Sequence, residues 1–173
     1  MKRTLLGVGC LLLMGWSWQV AAFDKDDMKK FLATKICKKC DLSGANLAKA
    51  DLAKADLTQA TLWSVVLTGA NLSGANLTKA DFNTANLEGA NLEGANLANA
   101  YLFATNLKKA NLTGANLKRS YWGYANLEGI DLTNADLTNA KLENTINFDS
   151  AITTGTIFCK TVMPDDSTNN SGC

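Results

Sequence analysis

From Cys40 to Thr154 the sequence divides without a gap into five-residue units, "CDLSG ANLAK ADLAK ADLTQ" through "AKLEN TINFD SAITT", 23 pentads in one register. The first position is nearly always Ala, the second mostly Asn or Asp and the third nearly always Leu, while the last two vary among small, polar and charged residues. A period of five fits neither regular element. Five steps of about 100° overshoot one helical turn by about 140°, so Leu would spiral around an α-helix and leave no apolar stripe. In an unbroken strand, alternation would send successive leucines to opposite faces. The pattern is satisfied when each pentad forms one short side of a coil, with the first and third residues pointing inward and the last two turning the corner. Self-similarity at a fixed period is the mark of a solenoid.

The motif A-[DN]-L-x-x repeated in this register resembles the pentapeptide-repeat family, and the resemblance covers about two thirds of the chain. It implies an all-β solenoid, a right-handed quadrilateral parallel β-helix with four pentads per coil. The aromatic residues test that number independently. Between Cys40 and Ala140 every aromatic falls in "ATLWS", "ADFNT", "AYLFA" or "SYWGY", which start at Ala60, Ala80, Ala100 and Ser120 and so recur at every fourth pentad. Stacking by twenty predicts about six coils and, at about 4.8 Å per coil, a column about 28 Å long. Leu47, Leu67, Leu87, Leu107 and Leu127 then stack down one side, beside Ala45, Val65, Ala85, Thr105 and Ala125. Leu72 and Leu92 are inward in the same way, and Phe82 and Trp122 take the place of inward leucines. Ala suits the first position because a larger residue would meet the opposite wall. The second-position runs Asn71, Asn91, Asn111 and Asn76, Asn96, Asn116 predict amide ladders between coils. Glu88, Lys108 and Glu128 alternate in sign down another column, the pattern of a solvated face with weak ion pairs.

The flanks read differently. Residues 1–22 carry a basic start (Lys2, Arg3), an apolar run from Leu5 to about Trp16 and a small-residue end at Val20-Ala21-Ala22, the features of a secretory signal peptide. Cys10 raises lipidation, but Gly7-Val8-Gly9 before it lacks the large aliphatic residue such sites use. Export to the periplasm, or to the thylakoid lumen if the resemblance to cyanobacterial-type members holds, is the expectation, with no stable membrane span after cleavage. Residues 23–39 are read as an N-terminal capping helix and a CxxC, with Met28, Phe31, Leu32 and Ile36 at helical spacing and Asp24, Asp26 and Asp27 suited to its first turn. Residues 40–158 are the β-helix. Residues 159–173, polar and containing the only proline, Pro164, form a disulfide-closed tail.

Removal of residues 1–22 leaves Cys37, Cys40, Cys159 and Cys173, an even number in an oxidising compartment, so disulfides are expected. Pairing between the two ends would have to span roughly 25–30 Å of column, and the local pairs Cys37 with Cys40 and Cys159 with Cys173 remain. Secreted and lumenal family members look similar, with CxxC before the first "DLSGANL" and a terminal "FC…MPD…NNSGC". The rival for the CxxC is a redox centre, although the βαβ setting of thioredoxin-like motifs is missing. A zinc site is weaker, because the chain has no His and two local Cys supply half of a tetrahedral set.

Trp63 and Phe103 occupy the outward fourth position and Tyr101 and Tyr121 the outward second position of the same side, with Tyr124 flanking them. This strip is either packing between coils or a surface for a protein partner, a second copy of the chain included. No His exists for general-base work and no Ser or Cys nucleophile has an evident partner, so neither catalysis nor a cofactor or metal is expected. A column of Thr113, Thr133 and Thr153 suits cross-coil hydroxyl pairing as well as any ordered-water template. Loss of Lys2 and Arg3 leaves 15 of the 17 basic residues against 16 acidic, a charge near −1. That balance points away from nucleic acid and disfavours the family's DNA-mimicking inhibition of DNA gyrase, which needs a strongly negative, regularly spaced surface. The expected role is an exported, non-enzymatic structural or interaction scaffold.

Overall fold

The computed structural model describes residues 23–173, so the signal-peptide reading of residues 1–22 lies outside the described residues. Parallel bridges join the second residue of each pentad to its counterpart one coil on, and they sort into four columns. Wall 1 runs Ile36, Asp56, Asn76, Asn96, Asn116, Asp136, Ile157, and wall 2 runs Asp41, Thr61, Asp81, Tyr101, Tyr121, Lys141, Val162. Wall 3 runs Asn46, Val66, Asn86, Asn106, Asn126, Ile146, and wall 4 runs Asp51, Asn71, Asn91, Asn111, Asp131, Ile152.

One hydrogen-bond pattern builds every wall. The third-position N–H donates to the second-position carbonyl of the next coil, as in Leu92 to Asn111 at 2.7 Å, and the second-position N–H donates to the first-position carbonyl of the coil before, as in Asn111 to Ala90 at 3.0 Å. The fifth residue takes a left-handed conformation to turn each corner, with Gly at corners such as Gly69 and Gly94 and Lys, Asn, Gln, Ser, Thr, Ala, Arg or Tyr elsewhere. Where the second position is Asn or Asp, the turn is closed from outside, because that side chain accepts the backbone N–H two residues on, as Asn96 does from Ala98 at 3.2 Å. That local bond is the main task of these side chains. Ladder bonds between coils form in steps such as Asn106 to Asn86 (3.2 Å), Asn111 to Asn91 (3.2 Å) and Asn116 to Asn96 (3.0 Å).

The first and third positions fill the interior. Leu72, Leu87, Leu92 and Leu107 are fully buried, as are Phe82 and Trp122. Departures from Ala to Ser or Thr at the first position carry hydrogen bonds, Ser120 and Thr105 among them. Ser120 Oγ accepts the Trp122 Nε1–H at 2.6 Å and donates to the Leu117 carbonyl at 2.6 Å, and Thr105 Oγ1 donates to the Phe82 carbonyl at 2.9 Å.

The pentad frame differs from the sequence reading at both ends. Ile36 bridges Asp56, so the first side is Lys35-Ile36-Cys37-Lys38-Lys39, one pentad before the expected start at Cys40. Cys37 and Cys40 therefore occupy inward third and first positions, in columns filled mostly by Leu and by Ala, and both are buried. At the far end the frame does not run unbroken to Thr154. The bridges keep one constant step as far as Asn126–Ile146, and from Asp131–Ile152 onward each step is longer by a single residue, because a short 3₁₀ turn at Phe148–Ser150 takes in one extra. The threonine column consequently continues through Thr154, whose carbonyl accepts the Asn134 N–H at 2.9 Å, and not through Thr153.

Helix α1 (Lys25–Thr34) precedes the first coil. Asp24 accepts the N–H groups of Asp26 and Asp27 at its start, and left-handed Lys35 ends it. Phe31 is fully buried and Met28 packs against the core, whereas Leu32 stays 65% exposed. Ile36 lies beyond the helix, outward on wall 1, since the chain has already entered the first pentad there. The Asp24 N–H reaches the Asp41 carbonyl (3.1 Å), and Asp27 Oδ2 accepts the Asp41 N–H (3.0 Å). At the other end β1 (Thr161–Val162) pairs antiparallel with β2 (Thr168–Asn169), and the Phe158 N–H donates to the Ser171 carbonyl at 2.9 Å. Both terminal segments thus lie over the edges of walls 1 and 2.

Candidate interaction surface

Wall 2 and its corners carry the exposed aromatics. Trp63 is 50% exposed, Phe103 49% and Tyr124 58%, with Tyr101 and Tyr121 also exposed. Part of the strip packs on itself. Tyr101 and Tyr121 are bridge partners in adjacent coils and stack at 5.3 Å with planes 10° apart, and Lys141 Nζ lies 5.8 Å from the Tyr121 centroid. Phe103 meets Tyr124 edge-on at 5.5 Å. Gly123 makes this possible: a Cβ there would stand 3.3 Å from the Phe103 ring, so the absent side chain leaves the ring room to lie back against the next coil. Trp63 stands apart from the others, two coils below Phe103 in the same fourth-position column, with Asn83 between them. Asn83 Oδ1 accepts the Phe103 N–H at 3.1 Å and fixes that approach. The structure therefore brings four of the five strip residues into two aromatic pairs and leaves the Trp63 ring out of both.

The cysteines divide by role. Cys37 is bonded to Cys40 with a Cα–Cα separation of 5.4 Å, inside the first corner, and Cys159 to Cys173 with a Cα–Cα separation of 4.6 Å, on wall 1. The second bond ties the end of the chain to the last coil. Among the described residues no group of three or more His, Cys, Asp or Glu is placed to hold a metal ion, and no helix is long and apolar enough to cross a membrane.

Charge is ordered along the column. Lys108 pairs with Glu128 at 2.9 Å, and this bond leads the causes that raise its pKa. Burial pushes the carboxyls of Asp56 and Asp136 up, but hydrogen bonds from Thr58 and Thr138, joined by Lys38 (3.1 Å) and Lys118 (3.0 Å), outweigh it and leave both below the usual carboxylate range. A depression of about 610 Å³ opens at the end of the column between the 3₁₀ turn and the tail, lined by Asn147, Phe148, Met163 and Pro164 among others.

Residues 35–112 match the family model described as a pentapeptide repeat region, and residues 110–146 match pentapeptide repeats. The chain belongs to the pentapeptide-repeat family. Proteins of this family form right-handed β-helices. Among solved structures this pentapeptide-repeat chain is similar to HetL, involved in heterocyst differentiation regulation in the cyanobacterium Nostoc sp. strain PCC 7120, with 29% identity over 78% of this chain and 76% of that one (TM-score 0.40). It is similar to a pentapeptide repeat protein of the Arabidopsis thaliana thylakoid lumen, with 29% identity over 60% of this chain and 68% of that one (TM-score 0.45). Rfr23 from the cyanobacterium Cyanothece 51142 is 26% identical over 76% of this chain and 92% of its own (TM-score 0.44). No curated protein matches the sequence.

Sequence reasoning missed two residues that shape these surfaces, Ser120 and Gly123, and it named Cys37 as a disulfide partner without placing it inside a pentad. Ser120 is flagged only by a departure from Ala beside a departure from Leu, and Gly123 by a glycine outside the fifth position. Cys37 is in frame with the pentads, but neither Lys35-Ile36 nor the charged pair after it resembles the consensus.

Proposed function

We propose that this pentapeptide-repeat protein is an exported, non-enzymatic scaffold of about six coils, working in the periplasm or thylakoid lumen, whose wall 2 holds a protein partner. The observation that carries the reading is the Trp63–Phe103–Tyr124 strip, three large apolar side chains about half exposed on a wall whose other outward residues are mostly small or polar. Interfaces are enriched in aromatic residues, and a large exposed apolar surface on a soluble protein is costly without a partner. A solenoid supports this role because its coils hold outward side chains at fixed spacing with little reorganisation on binding. Family members are generally non-enzymatic.

The test is Trp63→Ala combined with Phe103→Ala, compared with the wild type by sedimentation and by capture of partners from the compartment in which the tagged protein resides. Loss of self-association, or of one saturable partner, with an unchanged melting temperature is expected. Unchanged association by both assays refutes the surface. A supercoiling assay separates the DNA-mimicking alternative, and no inhibition of gyrase is expected.

A further inference from the structure

The corner between walls 1 and 2 is formed by the fifth residues Lys39, Gln59, Lys79, Asn99, Arg119, Asn139 and Lys160. Their N–H groups bond coil to coil at 2.8–3.0 Å, from Lys39 with the Thr58 carbonyl to Asn139 with the Cys159 carbonyl. The residue inserted at the 3₁₀ turn matters here. Counting by twenty puts Cys159 in this column, whereas the structure puts Lys160 there. The corner thus presents a cation at every second coil and an amide at each coil between.

Lys39, Lys79, Arg119 and Lys160 are all exposed, and none enters an ion pair among the described residues. The other cations of wall 1 are neutralised within the fold, Lys35 by Asp51 (3.1 Å), Lys38 by Asp56 (3.1 Å) and Lys118 by Asp136 (3.0 Å). Asp41 and Asp81, two residues after Lys39 and Lys79, turn instead to the backbone N–H groups of Ser43 and Asn83. What remains is a line of positive charge and not a sheet of it. A flat anionic surface rewards a broad patch, but a line selects a linear polyanion.

Spacing selects among linear polyanions. Two coils rise about 9.6 Å. An extended β-strand repeats a face every second residue, about 6.7 Å, and fails to match. A polyproline II segment has three residues per turn at about 3.1 Å each, so every third side chain lies on one face about 9.3 Å apart. Its backbone makes no internal hydrogen bonds, which leaves its carbonyls free for the side-chain amides of Gln59, Asn99 and Asn139.

We propose that this corner binds an extended, proline-rich segment of a partner protein carrying an acidic residue at every third position, each carboxylate meeting one of Lys39, Lys79, Arg119 and Lys160. The proposal deepens the scaffold reading by naming the chemistry of a partner segment. It leaves the aromatic strip intact, so failure at one surface is separable from failure at the other.

The probe is a labelled peptide of four Pro-Pro-Glu repeats, titrated with mature protein by fluorescence anisotropy at low and moderate salt. The controls are a composition-matched peptide with Glu at every second residue over two thirds of its length, and vesicles with and without anionic lipid. The expected result is saturable, salt-sensitive binding about tenfold tighter for the three-residue spacing than for the control. Lys79→Glu combined with Arg119→Glu should abolish it, while Lys49→Glu combined with Lys109→Glu, the same charge change on the opposite corner, should weaken it only slightly. Both variants should retain the wild-type melting temperature. Equal binding of both peptides, equal losses from the two variant pairs, preference for anionic vesicles, or no binding each overturns the proposal.

Discussion

Replacing Ser120 with Ala restores the residue that the repeat favours at the first position, yet the structure requires it to destabilise the protein. Ser120 and Trp122 are both fully buried, and the Ser hydroxyl accepts the indole N–H at 2.6 Å while donating to the Leu117 carbonyl. With Ala, the indole N–H sits in an apolar interior without an acceptor, at a cost of about 1–3 kcal/mol. For a chain of this size each kcal/mol shifts the melting temperature by about 2–4 °C, so Ser120→Ala should lower it by about 2–12 °C. Context supplies the sharper test. In a Trp122→Leu background no indole remains to orphan, and Ser120→Ala should cost about 0.5 kcal/mol or less, the worth of the bond to Leu117. Thermal or urea unfolding of the two single variants and the double variant yields a coupling of about 0.5–2.5 kcal/mol. A Ser120→Ala protein as stable as wild type, or the same cost in both backgrounds, refutes the account of this core.

Leu92→Lys, which places a charge at the centre of the column, should give no soluble folded protein, and Leu92→Ala should fold with a loss of about 3 kcal/mol by urea unfolding. Replacing Cys159 and Cys173 together by Ser opens a loop whose ends are 14 positions apart in sequence. The tail should then be cleaved early in limited proteolysis while far-ultraviolet circular dichroism keeps the signal of the column; equal protection with and without the bond would show that it holds nothing down. Asp56 and Asp136 have folded pKa values below their unfolded ones, so their stabilisation is complete above the ordinary carboxylate range and is lost as pH falls through the lowered values. The melting temperature should hold from neutral pH to about 5 and drop below about 4, and Asp56→Asn with Asp136→Asn should flatten that drop.

The interior of the column was legible because a pentad repeats its instruction many times. Leu at the third position and Ala at the first have one solution consistent with period five, and Phe82 and Trp122 declare themselves as inward by position alone. The ends were less legible, since the first side, KICKK, keeps only the inward Cys37 in place of Leu and hides it in a run of charges. The one-residue slip leaves only a faint mark: "TINFD" has Asn147 where Leu is expected, but "SAITT" after it still reads in the old register, and the 3₁₀ turn at Phe148–Ser150 takes in the extra residue that puts Ile152, not Ala151, opposite Asp131. The aromatic strip was visible as a column, but its pairing depends on Gly123, whose meaning appears only when the Phe103 ring lies over it. The cation line was hard to see in the sequence for the same reason that the slip was. Lys160 falls one residue out of step with Lys39, Lys79 and Arg119 until the extra residue is looped out.

Through-hydrogen-bond scalar couplings in isotope-labelled protein test the winding most directly. The account predicts a coupling from the Leu92 N–H to the Asn111 carbonyl and from the Leu132 N–H to the Ile152 carbonyl, across bonds of 2.7 and 2.8 Å, the second spanning one residue more of chain than the first. A coupling from Leu132 to Ala151, which would repeat the Leu92 offset unchanged, or from either leucine to any other residue, would contradict a column of four-sided coils with one residue looped out near its end.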